Sequence, residues 1–511
     1  MSQLQNYLNK TPLKEQNSET IAYLASLDVL SRTNPLVARH ILQELFDQRS
    51  NLKLIASENF SSLAVQLSMG NLLTDKYSEG YAKHRFYAGC ENIDAIEEEA
   101  GFLARNIFRC DHAYVQPHSG ADANLVAFWS ILIKNIQNRE IELLSKKNID
   151  ELSDEEYEKI RKLMMNQKVM GMGLESGGHL THGYRHNISS KMMQAINYQV
   201  SKETGLLNYD AIAEQARKEK PTILIAGYSA YPRKIDFAKM REIANDVNAT
   251  LMVDMAHFAG FVAGKVFTGE FDPIPYAHIV TSTTHKTLRG PRGGIVLCSQ
   301  EYADTVNKGC PLVLGGPLPH MLAAKAVAFK EIDNTEYRKY ARQMLANSQA
   351  LAKTLLENDI EVLTEGTDNH IVLFDVTKYG LTGRQAESAL RQAGITANRN
   401  TIPSDPNGPW YTSGVRIGSP AVTTLGMKEA EMKEIANLIS LILKNSKAQI
   451  VERTGKASKA KFSTKEHTLL EVRKRVSDLL HSYPLYPELD IEMETAFSFQ
   501  KENAYEKIEC T

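Results

Sequence analysis

Residues 281–294 read TSTTHKTLRGPRGG, and the fold turns on what surrounds them. A β-branched segment, 278–281, reads as a strand leading in, and an apolar run, 294–298, reads as a strand leading out. Between them a Gly/Pro/Arg turn carries one lysine, Lys286. At such a strand end an amine can be kept from bulk water. Burial and neighbouring positive charge then lower its pKa, because both disfavour the ammonium form. A lysine of that kind attacks carbonyl groups. A lone turn lysine is more often simply exposed, so its neighbours decide the case.

Two upstream segments share this construction: 222–227 runs into YSAYP and 250–253 runs into DMAHFAG. Apolar runs without alternation suit parallel strands covered on both faces. Open α/β sheets keep their chemistry at the carboxyl ends of such strands, where Ser229, Asp254, His257 and Lys286 all fall. The expected fold class is therefore α/β. A mostly parallel sheet with helices on both faces forms a large domain, joined by a smaller C-terminal α/β domain and an N-terminal helical arm.

With 511 residues, two domains plus extensions are expected. The balance is that of an ordinary globular chain, 43% hydrophobic and 23% charged. A net charge of −2 offers no electrostatic footprint for nucleic acid. Five scattered cysteines, Cys90, Cys110, Cys298, Cys310 and Cys510, form no C-x-x-C pair, which fits reduced thiols in the cytoplasm. The first residues lack the apolar core of a secretory signal, and no apolar stretch is long enough to span a bilayer, so no membrane partner is expected.

Apolar residues at helical spacing (Leu36, Ile41, Leu42, Leu45) predict a helix over 31–50. A helix over 64–73 leads to TDKYSEGYAKHRFYAGCENID, a loop with Tyr77, Tyr81, Tyr87, Glu79 and two glycines that suits a binding site. Further on, HSGADANLVAFWSILI opens a helix directly from a Ser-Gly turn, and the backbone amides of such a start form a ready phosphate cradle. A charged helical insertion is expected at about 135–167, with a capping box at Ser153 and Glu156. In GLESGGHLTHG, His179 and His182 lack a third ligand at zinc-like spacing, so no metal site is expected.

Beyond Gly315 and Gly316, one long helical stretch (320–356) leads to a second α/β unit containing HIVLFDV and TSGVRIGSPA, with Arg416 between glycines. A Lys/Ser/Ala-rich linker and an amphipathic helix through Leu469, Val472, Val476 and Leu479 follow. The expected division is an arm at 1–60, a large cofactor-binding domain at 61–335, a small domain at 336–486 and a flexible tail at 487–511.

A strand-end lysine, an upstream strand-end aspartate, a Ser-Gly phosphate cradle and a distant arginine are what a pyridoxal phosphate enzyme needs. From about 51 to 484 the chain resembles the serine hydroxymethyltransferase family. The resemblance rests on LIASENF, KYSEGY, CENID, QPHSG, GGHLTHG, VDMAHFAG, TTHKTLRGPRGG, GGPL, GTDNH and TSGVRIGSPA. It implies the aspartate aminotransferase-like fold, pyridoxal 5'-phosphate as cofactor and tetrahydrofolate as co-substrate. Lys286 becomes the Schiff-base lysine, Asp254 the partner of the ring nitrogen, and His179 the imidazole stacked on the ring. Ser119, Gly120 and Ala121 match the phosphate cradle. Tyr77, Gly315 and Gly316 reach the phosphate from a neighbouring subunit, so a homodimer or dimer of dimers with shared active sites is implied.

By the same resemblance Arg416 binds the substrate carboxylate with help from Ser57 and Tyr87. Ser229, His257, Thr283 and Arg292 surround the cofactor, and Glu79 is the acid/base. Folate contacts fall on Leu174, Gly178, Leu180 and Asn400. Ala121 stands where many members carry serine, and Asp122 brings a carboxylate beside the cradle. The alternatives are a folate-independent β-hydroxy amino acid aldolase of the same fold, or a catalytically silent scaffold.

Overall fold

The computed structural model describes residues 3–489 and 491. Seven strands build the main sheet: β1 (His112–Tyr114), β2 (Lys168–Met172), β3 (Gln194–Tyr198), β4 (Ile223–Gly227), β5 (Thr250–Asp254), β6 (Ile279–Thr283) and β7 (Gly294–Cys298). Their order is β1-β7-β6-β5-β4-β2-β3. Pairing is parallel from β3 across to β6, and β7 runs antiparallel to both of its neighbours.

Every residue of β4, β5, β6 and β7 is buried, which explains the absence of alternation in their sequences. Successive residues feed opposite cores. Ile223, Ile225, Met252, Ile279 and Val296 pack on one face, with helix residues Val126, Phe128 and Ile131. Leu224, Ala226, Leu251, Val253, Val280 and Ile295 pack on the other, with Leu103, Phe108 and Phe329. Helices α1 (Glu91–Phe108), α2 (Gly120–Leu132), α3 (Pro319–Ile332) and α4 (Thr335–Glu357) supply much of this cover.

A second, four-stranded sheet contains β8 (Glu361–Val362), β9 (Ile371–Asp375), β10 (Asn398–Asn400) and β11 (Gly414–Gly418), in the order β8-β9-β11-β10. It is antiparallel throughout. Its core includes Leu351, Phe374, Ile417, Ile439 and Val476, and Leu52 joins it through a parallel bridge to Ile395.

Several elements differ from expectation. The helix predicted over 31–50 begins at Pro35, because Asn34 ends one helix (Ser18–Thr33) and caps the next through its side chain. Leu42 and Leu45 are buried while Leu36 and Ile41 face outward. The helix expected over 64–73 is only Leu63–Leu67. The long stretch 320–356 is two helices, broken where Asn334 caps α4.

The expected linker is a hairpin, Ser446–Val451 with Lys456–Thr464, whose lysines alternate with Ala and Phe. Gln385 Nε2 pins it by donating to the carbonyls of Ser458 at 2.7 Å and Lys461 at 2.8 Å. The first residues of the expected insertion are continuous with α2. Helix α2 continues through a π turn, where Asn135 Nδ2 donates to Thr250 Oγ1 at 2.8 Å. The expected Ser153/Glu156 capping box starts the helix Asp154–Met165.

Residues 487–489 and 491, placed in the flexible tail, pack instead on the arm. Leu489 and Ile491 are buried with Leu24, Leu42 and Phe46. Arg49 donates to the carbonyls of Leu485, Tyr486 and Leu489 at 2.7–3.0 Å. The rest of the expected tail, with Cys510, lies outside the described residues. Among the described residues Cys90, Cys110, Cys298 and Cys310 are free thiols, and no helix is long and apolar enough to cross a membrane.

Candidate active site

The carboxyl ends of β4, β5 and β6 deliver Ser229, Asp254, His257, Thr283 and Lys286 to one region. Lys286 Nζ donates to Thr283 Oγ1 at 3.2 Å. Asn59 Nδ2 holds the lysine's carbonyl at 2.9 Å. Burial pushes the Lys286 amine down to about 8, with Arg416 and Arg292 adding to the shift and Asp254 opposing it. Near neutral pH such a lysine carries an appreciable fraction of free amine.

Asp254 is buried and has a full set of partners. Its Oδ2 accepts from Asn124 Nδ2 at 2.9 Å and pairs with His182 Nε2 at 3.0 Å, and its Oδ1 accepts from the Ala256 amide at 3.0 Å. Burial alone would raise its pKa, but His182, His179 and Asn124 outweigh burial and hold the carboxyl below the usual range. Asn124 also donates to Thr181 Oγ1 at 2.7 Å, which in turn meets His179 Nδ1 at 2.8 Å. Asp254 therefore supplies the third metal-ligand type that spacing alone missed: ligand atoms of His179, His182 and Asp254 lie within 4.8 Å of one another. His182 and Asp254 already spend those atoms on each other.

His257 Nε2 lies 3.4 Å from Ser229 Oγ, and its Nδ1 lies 3.3 Å from His370 Nε2. Burial, with the charges of Lys286 and Arg416, keeps its imidazole neutral. Burial likewise lowers His179, to about 4. Arg416, on β11, reaches across from the second sheet. Its Nη1 donates to Ser229 O at 2.6 Å and Ser229 Oγ at 3.2 Å, and its Nε donates to Asn398 Oδ1 at 3.1 Å. Burial lowers the guanidinium to about 10. No ion pair involving Arg416 occurs among the described residues.

The Ser-Gly turn forms as expected. Ser119 is the N-cap of α2 and accepts from the Asp122 amide at 3.1 Å, with Ala121 exposed on the first turn. A side chain at Gly120 would bring Cβ within 2.6 Å of Thr283 Cγ2, so glycine lets the helix start press against the end of β6. The loop 173–183 is folded back just as tightly. Gly177 has φ +99°, and Cβ at Gly178 would lie 1.9 Å from Met172 O.

Leu174 lines a cavity of about 730 Å³ with Tyr184, Arg185, Asn197 and Thr401, the last adjoining Asn400. Leu180 is exposed at the same loop. Ser57 lines a larger cavity of about 1040 Å³ with Asn59, His285 and Arg292. Arg292 is exposed there and makes no described hydrogen bond.

Five expected site residues, Tyr77, Glu79, Tyr87, Gly315 and Gly316, gather around one aromatic patch. Tyr77 and Tyr87 face each other with ring centroids 5.0 Å apart, and the charge of Glu79 raises the Tyr77 phenol. Cβ at Gly316 would lie 3.3 Å from Tyr77, and Cys310 Sγ donates to the carbonyl of Gly315 at 2.9 Å. Tyr77, Phe86 and Tyr87 are 55%, 71% and 47% exposed. A buried network anchors this patch: Arg85 pairs with Asp94 at 2.8 Å and Glu97 at 2.7 Å. None of the patch's described bonds or ring contacts reaches Lys286, Asp254 or Arg416. Sequence reasoning missed Asn124, Thr181, His182 and His370 as partners. Thr181 and His182 gave a signal through their place in the GGHLTHG motif and His370 through GTDNH, whereas Asn124 sits in an ordinary helical run.

Comparison with known proteins agrees with this geometry. The family model described as serine hydroxymethyltransferase matches residues 30–144 and 155–439, and 145–154 fall between the two matched stretches. A serine hydroxymethyltransferase of Treponema pallidum (strain Nichols) is 54% identical over 489 residues, covering 96% of this chain and 85% of that protein. One from Mycolicibacterium smegmatis is 54% identical over 475 residues, covering 93% and 96% respectively. One from Chlamydia trachomatis serovar L2 is 53% identical over 493 residues, covering 96% and 99%. With a matching model over most of its length and relatives matched almost end to end, the chain belongs to the serine hydroxymethyltransferase family.

Proposed function

We propose that this chain is a glycine hydroxymethyltransferase that reversibly converts L-serine and tetrahydrofolate to glycine and 5,10-methylenetetrahydrofolate, with pyridoxal 5'-phosphate as its cofactor. The residues present fit that cofactor. A helix start without a side chain at Gly120 suits a phosphate. A buried carboxylate, Asp254, suits a protonated ring nitrogen, and a lysine near neutrality suits an aldehyde. When bound, the cofactor supplies an electrophilic aldehyde and an electron-accepting ring.

The chain's own residues bind, orient and move protons. Arg416 clamps the substrate carboxylate, with Ser57 alongside, and so determines which bond at the α-carbon is presented for cleavage. His182 and Asn124 keep Asp254 ionised. His179 covers one face of the ring, and Ser229, His257, Thr283 and Arg292 close the surroundings. Glu79 accepts the proton of the serine hydroxyl as the carbon–carbon bond breaks. Leu174, Gly178, Leu180 and Asn400 receive tetrahydrofolate at the cavity beside the 173–183 loop.

Glu79, Tyr87, Tyr77, Gly315 and Gly316 act in the site of a second copy, so the working unit is a homodimer or a dimer of dimers in the cytoplasm. The exposed aromatic patch supports this arrangement, because large apolar side chains are rarely left uncovered together.

Arg416 carries the reading: a buried guanidinium in an active-site cluster, with no carboxylate partner among the described residues. The cofactor-loaded chain is expected to shift its visible absorbance with glycine and again on adding tetrahydrofolate. Lys286→Ala abolishes multiple turnover, and near-normal turnover by that variant sinks the assignment. A glycine shift indifferent to folate would instead point to the folate-independent aldolase.

A further inference from the structure

Lys325, on α3, is 1% exposed and takes no part in the chemistry above. Its Nζ donates to the main-chain carbonyls of Val115 at 2.6 Å, Pro117 at 2.8 Å and Gly294 at 3.0 Å. All three ammonium hydrogens are thereby used. No ion pair holds it among the described residues, and Glu97 and Asp122 act on it only through their charge. A buried ammonium is expensive, and packing alone would be met by an apolar side chain of the same length.

Its position explains the expense. The β1–β7 ladder ends at the pair Tyr114 and Val296. Beyond that pair the strands part, and the carbonyls of Val115, Pro117 and Gly294 need donors. The Gly294 amide reaches Pro117 O at 2.9 Å, and Lys325 supplies the rest. The next residues form the anion seat. A side chain at Gly294 would bring Cβ within 2.2 Å of Ser119 O, so the seat rests directly on the segment that Lys325 holds. On the other side Lys325 packs against Gly293, where Cβ would lie 2.6 Å from the lysine's Cε.

We infer that Lys325 is a positioning residue for the anion seat at Ser119 and Gly120: its ammonium stitches the parted ends of β1 and β7 and places a buried positive charge behind the amides that receive a phosphate. Burial pushes the amine down to about 7 against the pull of Glu97 and Asp122, so a phosphate nearby would favour its charged form. His118 and Arg292 face the same small cavity, of about 130 Å³, that Lys325 lines.

The inference rests on reading Ser119 and Gly120 as the seat, and the test separates the two. The full chain, stripped of cofactor, is titrated with pyridoxal 5'-phosphate, with pyridoxal and with inorganic phosphate, using absorbance for the first two and calorimetry for the third. The unaltered chain should prefer the phosphorylated compound; without that preference the seat itself is misassigned. Lys325→Met should lose at least about tenfold in affinity for pyridoxal 5'-phosphate and for inorganic phosphate, while pyridoxal changes by less than about threefold. Equal losses for both ring compounds would mean general loosening and overturn the inference, as would no loss at all. If circular dichroism shows that Lys325→Met does not fold, Gly293→Ala serves instead. Its Cβ displaces the lysine's end without removing the charge. The same selective loss is expected there, and unchanged or unselective binding would overturn the inference.

Discussion

Replacing Arg416 by lysine keeps the charge and removes the fork. The guanidinium has five donors. In the structure Nη1 gives both of its hydrogens to Ser229 and Nε gives its one to Asn398. Nη2 has no hydrogen-bond partner among the described residues, and the weakest bond already made is the 3.2 Å contact to Ser229 Oγ. A carboxylate can therefore take one donor from Nη2 and a second by displacing that contact. An ammonium offers a point charge and no second aligned N–H. Losing one hydrogen bond to a charged group costs about 1.5–3 kcal/mol, so Arg416→Lys should weaken glycine about 10- to 150-fold. The assay is a titration of the cofactor-loaded variant with glycine, followed by absorbance. Methylamine, the same amine without the carboxylate, serves as control and should bind both proteins alike. Glycine affinity within about threefold of the unaltered chain, or an equal loss for methylamine, would refute the reasoning.

Because Lys286 is reactive only as the free amine and is held at about 8, the rate of its reaction with pyridoxal should rise with pH and level off just above that value; an inflection at the ordinary lysine value would contradict the burial argument. Gly178→Ala drives Cβ against the backbone carbonyl of Met172, and a stability loss of about 2 kcal/mol or more is expected in denaturant melts. An unchanged midpoint would show that the loop has room. Mixing inactive Lys286→Ala with inactive Glu79→Gln should restore about a quarter of normal activity once subunits exchange, since half the dimers would hold one intact site. No recovery after confirmed exchange would place Glu79 in its own chain's site.

Much of the sheet could be read in advance because runs such as ILIAG and TLMVD lack alternation, and burial on both faces is the physical reason. Asp254 and Lys286, at or just past the ends of such runs, were legible for a related reason: the carboxyl ends of doubly covered strands are where an open α/β sheet keeps its polar groups. The supporting groups were not. Asn124 sits inside a helix whose face only becomes an active-site wall once β5 and β6 lie beneath it. Lys325 resembles any helix lysine until three carbonyls from the ends of two strands converge on it. The hairpin at 446–464 was hidden because its alternation is between lysine and small residues, and its partner is the capped start of Gly383–Gln392. Tyr87 shows the opposite limit: its motif was plain, yet no described bond or ring contact joins it to Arg416.

Lys286 rides on the connection between two adjacent antiparallel strands. A crossover loop would hang from one strand end, but this one is moored at both, by the ladder from Gly294 opposite Thr283 to Cys298 opposite Ile279. Inside it the Thr284 amide reaches Gly293 O at 3.1 Å and the Gly290 amide reaches Thr284 O at 2.8 Å. In the proposed cycle, which would repeatedly dismiss the lysine and need it back, mooring at both ends shrinks the volume through which the amine can stray. The side chain swings while its base stays still, and recapture becomes a short local search, with most of the entropy cost already met during folding.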